Sequence, residues 1–181
     1  MSTAQPDPAC EVAHGSRPPE TGARTLVAVF TSPVASHLLH FARDLGYTTV
    51  LIEPEDAARD SGARHADKVA AGLDASFVDP ATDIVVTDHD RPELGRILHE
   101  ALGLPARWIG VMGSLRHTAP HLEALRSFGT TEADIARVHR PIGLNIGSHT
   151  PAEIAVATLA GLIADRNSRP GGFVWQGGSP S

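Results

Sequence analysis

The chain of 181 residues has one cysteine, Cys10. A single thiol excludes an internal disulfide and any cysteine-built zinc cage. Proline, alanine and acidic residues surround it in a stretch without periodic pattern, so Cys10 reads as a solvated tail thiol and not as a nucleophile. Aromatic residues make up only 4% of the chain. The core must therefore be built from Ala, Val, Leu and Ile packed between helices and a sheet. Basic residues are outnumbered, with a formal net charge of -6 and no long Lys/Arg run. That balance argues against nucleic acid as a main partner, because duplex binding depends on clustered cations against phosphates. No apolar run reaches membrane-spanning length, and MSTAQPDPAC lacks the basic and apolar regions of a signal peptide. A cytoplasmic protein without membrane contact is expected. Tyr47 is the only tyrosine, and no Tyr-Lys acid-base pair can be assigned.

What is present, 41% hydrophobic and 20% charged residues, suits one globular domain with flexible ends. Residues 1–23 are rich in Pro, Ser, Ala, Thr and Glu, have no apolar face to bury, and read as a disordered arm. Residues 168–181 read as a flexible Gly/Pro/Ser-rich tail, interrupted by Phe173, Val174 and Trp175. The domain proper is expected over 24–167. Arg24 to Phe30 is a continuous apolar run of central-strand type, Val34 to Leu45 follows at helical spacing until Gly46, and Thr48 to Ile52 is the next strand. Residues 54–80 are weakly patterned, with Lys68-Val69-Ala70 as a small strand. Asp83 to Thr87 and Trp108 to Met112 are further strands. Helices are expected over Pro92 to Leu102, around Leu122, Leu125 and Phe128, over Glu132 to Val138 behind a Thr131 cap, and over Pro151 to Asp165. Thr150 and Glu153 form a capping box that fixes the start of the last of these, with Pro151 at its first position. This alternation indicates an α/β fold: a doubly wound, mainly parallel Rossmann-like sheet with helices on both faces.

Ligands of such sheets bind outside the carboxyl ends of the strands. There, the turn Gly113-Ser114-Leu115-Arg116 combines a residue that lets a ligand approach, a capping hydroxyl and a planar cation, a set suited to phosphate or carboxylate. Pro141 to Gly147 repeats the glycine-punctuated design, and Asn145, Gly147, Ser148, His149 and Thr150 lead into the final helix. Glu53 ends the second strand, where an acidic residue accepts hydrogen bonds from a ribose; the alternative is a surface carboxylate beside a proline turn. The first turn, Phe30-Thr31-Ser32-Pro33, has no glycine where a dinucleotide fold carries Gly-x-Gly-x-x-Gly, and Pro33 offers no N-H, although Thr31 and Ser32 can cap the following helix. These turns are expected to converge on one crevice that takes a phosphate-bearing ligand, with two helix N-termini favouring negative charge. Asp88-His89-Asp90 reads as a cap for the next helix in preference to a metal site. His117 and His121 fail the zincin pattern, since Thr118 stands in place of its glutamate and Pro120 lies between them, and read as solvated or capping residues. No catalytic or metal-ligating residue is assigned.

The segments RWIGVMGSLRH and HRPIGLNIGSHTPAEIAVATLAGLIADRN resemble the C-terminal Rossmann-like domain of the XdhC/CoxI family, accessory proteins that mature molybdenum hydroxylases. The similarity runs from about Ile84 to Asn167 and more loosely from Arg24. The chain departs from the family pattern at the first turn, where Gly-x-Gly is usual. The resemblance implies a protein that binds a molybdenum cofactor, molybdopterin or its dinucleotide form, without turning it over. Its binding residues would be Gly113, Ser114, Arg116, Asn145, Gly147, Ser148, His149 and Thr150, with Thr31, Ser32 and Glu53. The expected partners are the large subunit of a xanthine, aldehyde or carbon monoxide dehydrogenase-type hydroxylase and a second copy of the chain in a homodimer. The alternatives are an NAD(P)-dependent oxidoreductase, disfavoured by the altered first turn, and a non-catalytic dimeric interaction module.

Overall fold

Strand β1 (Thr25–Val29) lies inside the sheet because its last four residues are apolar and can be buried from both faces. The structure, a computed structural model, describes residues 8–16, 22–62, 66–113 and 119–172. β1 pairs in parallel with β2 (Thr48–Ile52) on one side and β4 (Thr82–Val86) on the other. β3 (Lys68–Ala70) flanks β2, while β5 (Trp108–Val111) and the two-residue β6 (Val138–His139) extend the sheet beyond β4. The order β3-β2-β1-β4-β5-β6 reverses direction between β1 and β4. Right-handed crossovers then put the connecting helices on opposite faces on either side of that point.

Successive strand residues point to opposite faces, and the two cores follow that alternation. Leu26 and Ala28 of β1 pack with Leu38 and Leu39 of α2 (Pro33–Asp44) and with Ala155, Leu159 and Leu162 of α7 (Pro151–Arg166). Val27 and Val29 pack with Ile97 and Leu98 of α4 (Leu94–Leu102), Leu125 of α5 (Pro120–Ser127) and Ile135 of α6 (Glu132–Ile135). Each fully buried Leu, Ile or Val contributes about 1.5–3 kcal/mol. The remaining helices are α1 (Pro8–Ala13) and α3 (Asp56–Gly62).

One ion cluster fixes the direction of α7. Asp83, fully buried at the start of β4, accepts from Arg107 Nε at 2.6 Å and from Arg166 Nη2 at 2.9 Å. Burial works against the charge of Arg107, but Asp83 and Asp165 outweigh it and raise its pKa. The last turn of α7 is thereby tied to the amino edge of the sheet, so its first turn faces the carboxyl edge. In β5 a glycine stands mid-strand for a packing reason: a Cβ at Gly110 would run into the Trp108 ring and Ile142. Trp108 stacks on His139 across the β5-β6 pair at 5.0 Å between centroids.

Several elements differ from the sequence expectation. The helix Pro8–Ala13 lies within the arm expected to be disordered. α4 starts at Leu94, two residues later than expected, behind Glu93 with no side-chain cap. Asp88 instead accepts from the amide of Asp90 at 2.9 Å, closing a local turn. α6 ends at Ile135, and Val138 joins β6. The strand that leads into the second glycine-punctuated stretch is Val138–His139. Pro141 has no N-H for a ladder, and Gly143 and Gly147 take left-handed φ values of 84° and 69°, so this stretch runs as a loop. The segment Phe173-Val174-Trp175 lies outside the described residues.

Candidate functional site

The carboxyl edge carries the polar side chains in three groups. The first surrounds the end of β1, at the point where the strand order reverses. Phe30 adopts φ 71°, a left-handed conformation that glycine takes freely and that costs other residues about 1–2 kcal/mol. The turn thus keeps a glycine-type backbone while carrying a phenylalanine. Its ring is fully buried in the core under the α4 face. Ser32 caps α2, its hydroxyl accepting from the Ala35 amide at 3.0 Å, and donates to Thr87 Oγ1 at 3.1 Å. The Thr87 hydroxyl in turn donates to the Phe30 carbonyl at 2.9 Å. A chain of hydroxyls therefore links the β1 turn to the β4 turn across the switch point.

Glu53, at the end of β2, is neither a surface carboxylate nor a free acceptor. It is fully buried, and both oxygens are engaged: Oε2 accepts from the Thr31 amide at 2.8 Å, and Oε1 from the Glu55 amide at 3.0 Å and Arg91 Nη2 at 3.1 Å. Arg91 reaches from the loop after β4 over the end of β1, with its guanidinium 4.8 Å from the Phe30 ring centroid. Burial disfavours the Arg91 charge, but Glu93 and Glu53 overcome that and raise its pKa. Arg91 thus bridges Phe30 and Glu53, and Glu53 stands at the position whose acid accepts from a ribose in a dinucleotide fold.

The second group lies at the ends of β5 and β6. A Cβ on Gly113 would lie 2.6 Å from Arg140 Nε, so the glycine is what lets the guanidinium rest against the backbone. His121, in the first turn of α5, is buried and not solvated as the sequence suggests, and its Nδ1 has no hydrogen-bond partner. Burial, then the nearby charge of Arg140 and His89, pushes its pKa down, so the ring is neutral at pH 7. Ser114, Arg116 and His117 lie outside the described residues.

The third group is the approach to α7. Thr150 and Glu153 form the expected capping box. The Glu153 carboxylate accepts from the amides of His149 at 2.7 Å and Thr150 at 3.1 Å, and these bonds hold its pKa down. The helix N-terminus thus already carries an anion of its own. Asn145, Gly147, His149 and Thr150 are exposed and Ser148 half-buried, and this loop is pinned to α7 through Leu144 N and the Ala157 carbonyl at 2.9 Å.

The structure therefore joins Thr31, Ser32 and Glu53 with one another, sets Gly113 against Arg140, and gathers Asn145 to Thr150 at α7. They share an edge as three adjacent groups. Phe30, Thr87, Arg91 and Arg140 escape the sequence reading, which gives His121 only as a solvated or capping residue. Phe30 and Arg91 border stretches singled out for other residues, and nothing local marks the long-range contacts that give them roles. Among the described residues, no three His, Cys, Asp or Glu side chains group as metal ligands, and no helix is long and apolar enough to cross a membrane.

The XdhC Rossmann domain family matches residues 26–162. An uncharacterized protein, YqeB of Escherichia coli (strain K12), is 29% identical over 177 residues, covering 93% of this chain and 31% of that protein. The chain thus spans about a third of this relative's length. Among solved structures, one titled a xanthine dehydrogenase from Bacillus halodurans superposes with a TM-score of 0.65 at 24% identity, covering 81% of this chain and 45% of that one. At that identity the likeness speaks for the fold.

Proposed function

The chain belongs to the XdhC family, and from that premise we propose that it binds a molybdenum cofactor and helps insert it into a xanthine, aldehyde or carbon monoxide dehydrogenase-type hydroxylase in the cytoplasm. Its partners would be the large subunit of that hydroxylase and a second copy of itself. The observation that carries the reading is the division of the carboxyl edge. At the nucleotide end Arg91 engages Phe30 and Glu53, while the β5-β6 end sets Arg140 beside Gly113 and near His121, whose Nδ1 lacks a partner. The residues fit the phosphate of molybdopterin at the second end. They do not fit the nucleotide of the dinucleotide form at the first. Arg140 would hold the anionic group, its guanidinium resting against Gly113; the bound metal would supply redox chemistry only after delivery to the hydroxylase. Against an NAD(P)-dependent oxidoreductase stand the glycine-free first turn and Tyr47, which is buried beneath the helices with an unpartnered hydroxyl out of reach of substrate.

Copurified small molecules, identified by mass spectrometry with metal analysis, test the reading, followed by transfer to an apo-hydroxylase. Tight molybdopterin binding and hydroxylase activation are expected. Micromolar NAD binding with reduction of a carbonyl substrate would replace the carrier by an oxidoreductase.

A further inference from the structure

A cavity of about 330 Å³ opens between α5, α6 and β6, lined by Ala119, His121, Leu122, Ile135, Val138 and Arg140, with Glu132 and Ala136 completing its wall. Its polar end has two features that a merely structural packing defect would not combine. The His121 side chain is 97% buried, yet its Nδ1 lacks a partner. Leaving a buried polar atom unpaired costs about 1–3 kcal/mol, a penalty that a bound ligand oxygen would remove. Arg140 lines the same space, and α5 begins there with Ala119 as an N-cap that supplies no side-chain bond. Cation, helix N-terminus and imidazole therefore face one volume. The opposite end is apolar, formed by Leu122, Ile135 and Val138. Glu132 on the wall is itself paired, with Arg126 binding both its oxygens at 2.7 and 3.0 Å.

We propose that this cavity is a binding site for a small organic phosphate monoester, with the phosphate between His121 and Arg140 and the carbon skeleton against Leu122, Ile135 and Val138. The volume is at the lower end of small-ligand pockets and exceeds what a lone carboxylate needs. In the free protein burial, Arg140 and His89 keep the ring neutral. A phosphate dianion supplies the counter-charge that these groups withhold, so the ring takes up a proton as the ligand binds and becomes a second charged donor. The site deepens the proposed function and rests on it for the phosphate at Arg140, since molybdopterin is itself an organic phosphate monoester; the proton uptake by His121 and the apolar wall are what it adds, and a simple ester tests them apart from cofactor delivery.

The test is a titration of the whole chain with glycerol phosphate, inorganic phosphate and acetate at pH 7, read by the ring nitrogens of His121 in NMR and assigned by comparison with His121→Gln. Glycerol phosphate is expected to saturate at about 1 mM, a range typical of weak small-ligand sites. His121 nitrogens should move to imidazolium values as it does so. Arg140→Gln should weaken binding at least roughly tenfold while its backbone spectrum stays folded. Saturation by acetate at the same concentration would overturn the phosphate assignment, and equal affinity for inorganic phosphate and its glycerol ester would overturn the role of the apolar wall. An unshifted His121 throughout the wild-type titration would overturn the site, whether or not either variant folds.

Discussion

Replacing Phe30 by glycine tests whether the nucleotide end of the edge is filled by the protein itself. The wild-type ring is fully buried and lies beneath the Arg91 guanidinium. Truncating a buried phenylalanine costs about 3–5 kcal/mol. Against this, glycine at φ 71° relieves about 1–2 kcal/mol of left-handed strain, and its greater freedom in the unfolded chain returns roughly 0.5–1 kcal/mol of the loss. Phe30→Gly should therefore be less stable by about 3 kcal/mol, a melting temperature lowered by roughly 6–12 °C for a domain of this size. Chemical denaturation and calorimetry measure it. A loss below about 1 kcal/mol would mean that the ring is not a core element, and the closed-turn argument would fall. The same melts with ADP give a second readout, because a ligand at ten times its Kd stabilises by about 1.4 kcal/mol. The parent protein should show no such rise; if it does, the nucleotide end is open.

Asp83→Asn should destabilise the fold by about 3 kcal/mol, the lower part of the range for breaking a buried pair, because Arg107 keeps Asp165; an unchanged denaturation midpoint would show that the cluster does not hold α7. Thr150→Ala should cost about 1 kcal/mol by removing half of the capping box, and a melt identical to wild type would place the helix start elsewhere. Stability should fall in two steps with acid. His121 has a folded-state pKa below its unfolded value of about 6.5, so the folded state binds fewer protons and stability declines as pH drops below that value. Asp67, whose pKa the backbone and side-chain hydrogen bonds of Thr49 lower, contributes stability that disappears further down, as pH falls below about 4. His121→Gln should flatten the first step only; a profile with the first step intact would assign it to another histidine.

The fold was legible because its signals are local. Continuous runs such as Leu26 to Phe30 and Ile84 to Val86 mark buried parallel strands, and the Thr150-Pro151-Glu153 pattern fixes a helix start to the residue. The two-residue β6 was not legible, since Val138 and His139 gain strand character only by pairing with Ile109 and Gly110. The site was half legible. Topology alone places Thr31, Ser32, Glu53 and Gly113 at the carboxyl edge. What each side chain does there depends on partners 22 to 58 residues away, such as Thr31 with Glu53 and Thr87 with Val29. Arg91 shows the limit most clearly: its sequence neighbours suggest a helix cap, while its actual role is to span β1 and reach β2.

The stacked pair Trp108 and His139, with planes only 5° apart, gives the protein an optical gauge of its own. The indole is held by β5, whereas His139 belongs to the two-residue β6 and adjoins Arg140 in sequence. Any shift of Arg140 or Val138 in response to an occupant is passed along the backbone to an imidazole lying flat on a fluorophore. Emission from Trp108, isolated by changing Trp175 to phenylalanine, therefore registers events at the β6 end without a label and without touching a side chain that lines the cavity.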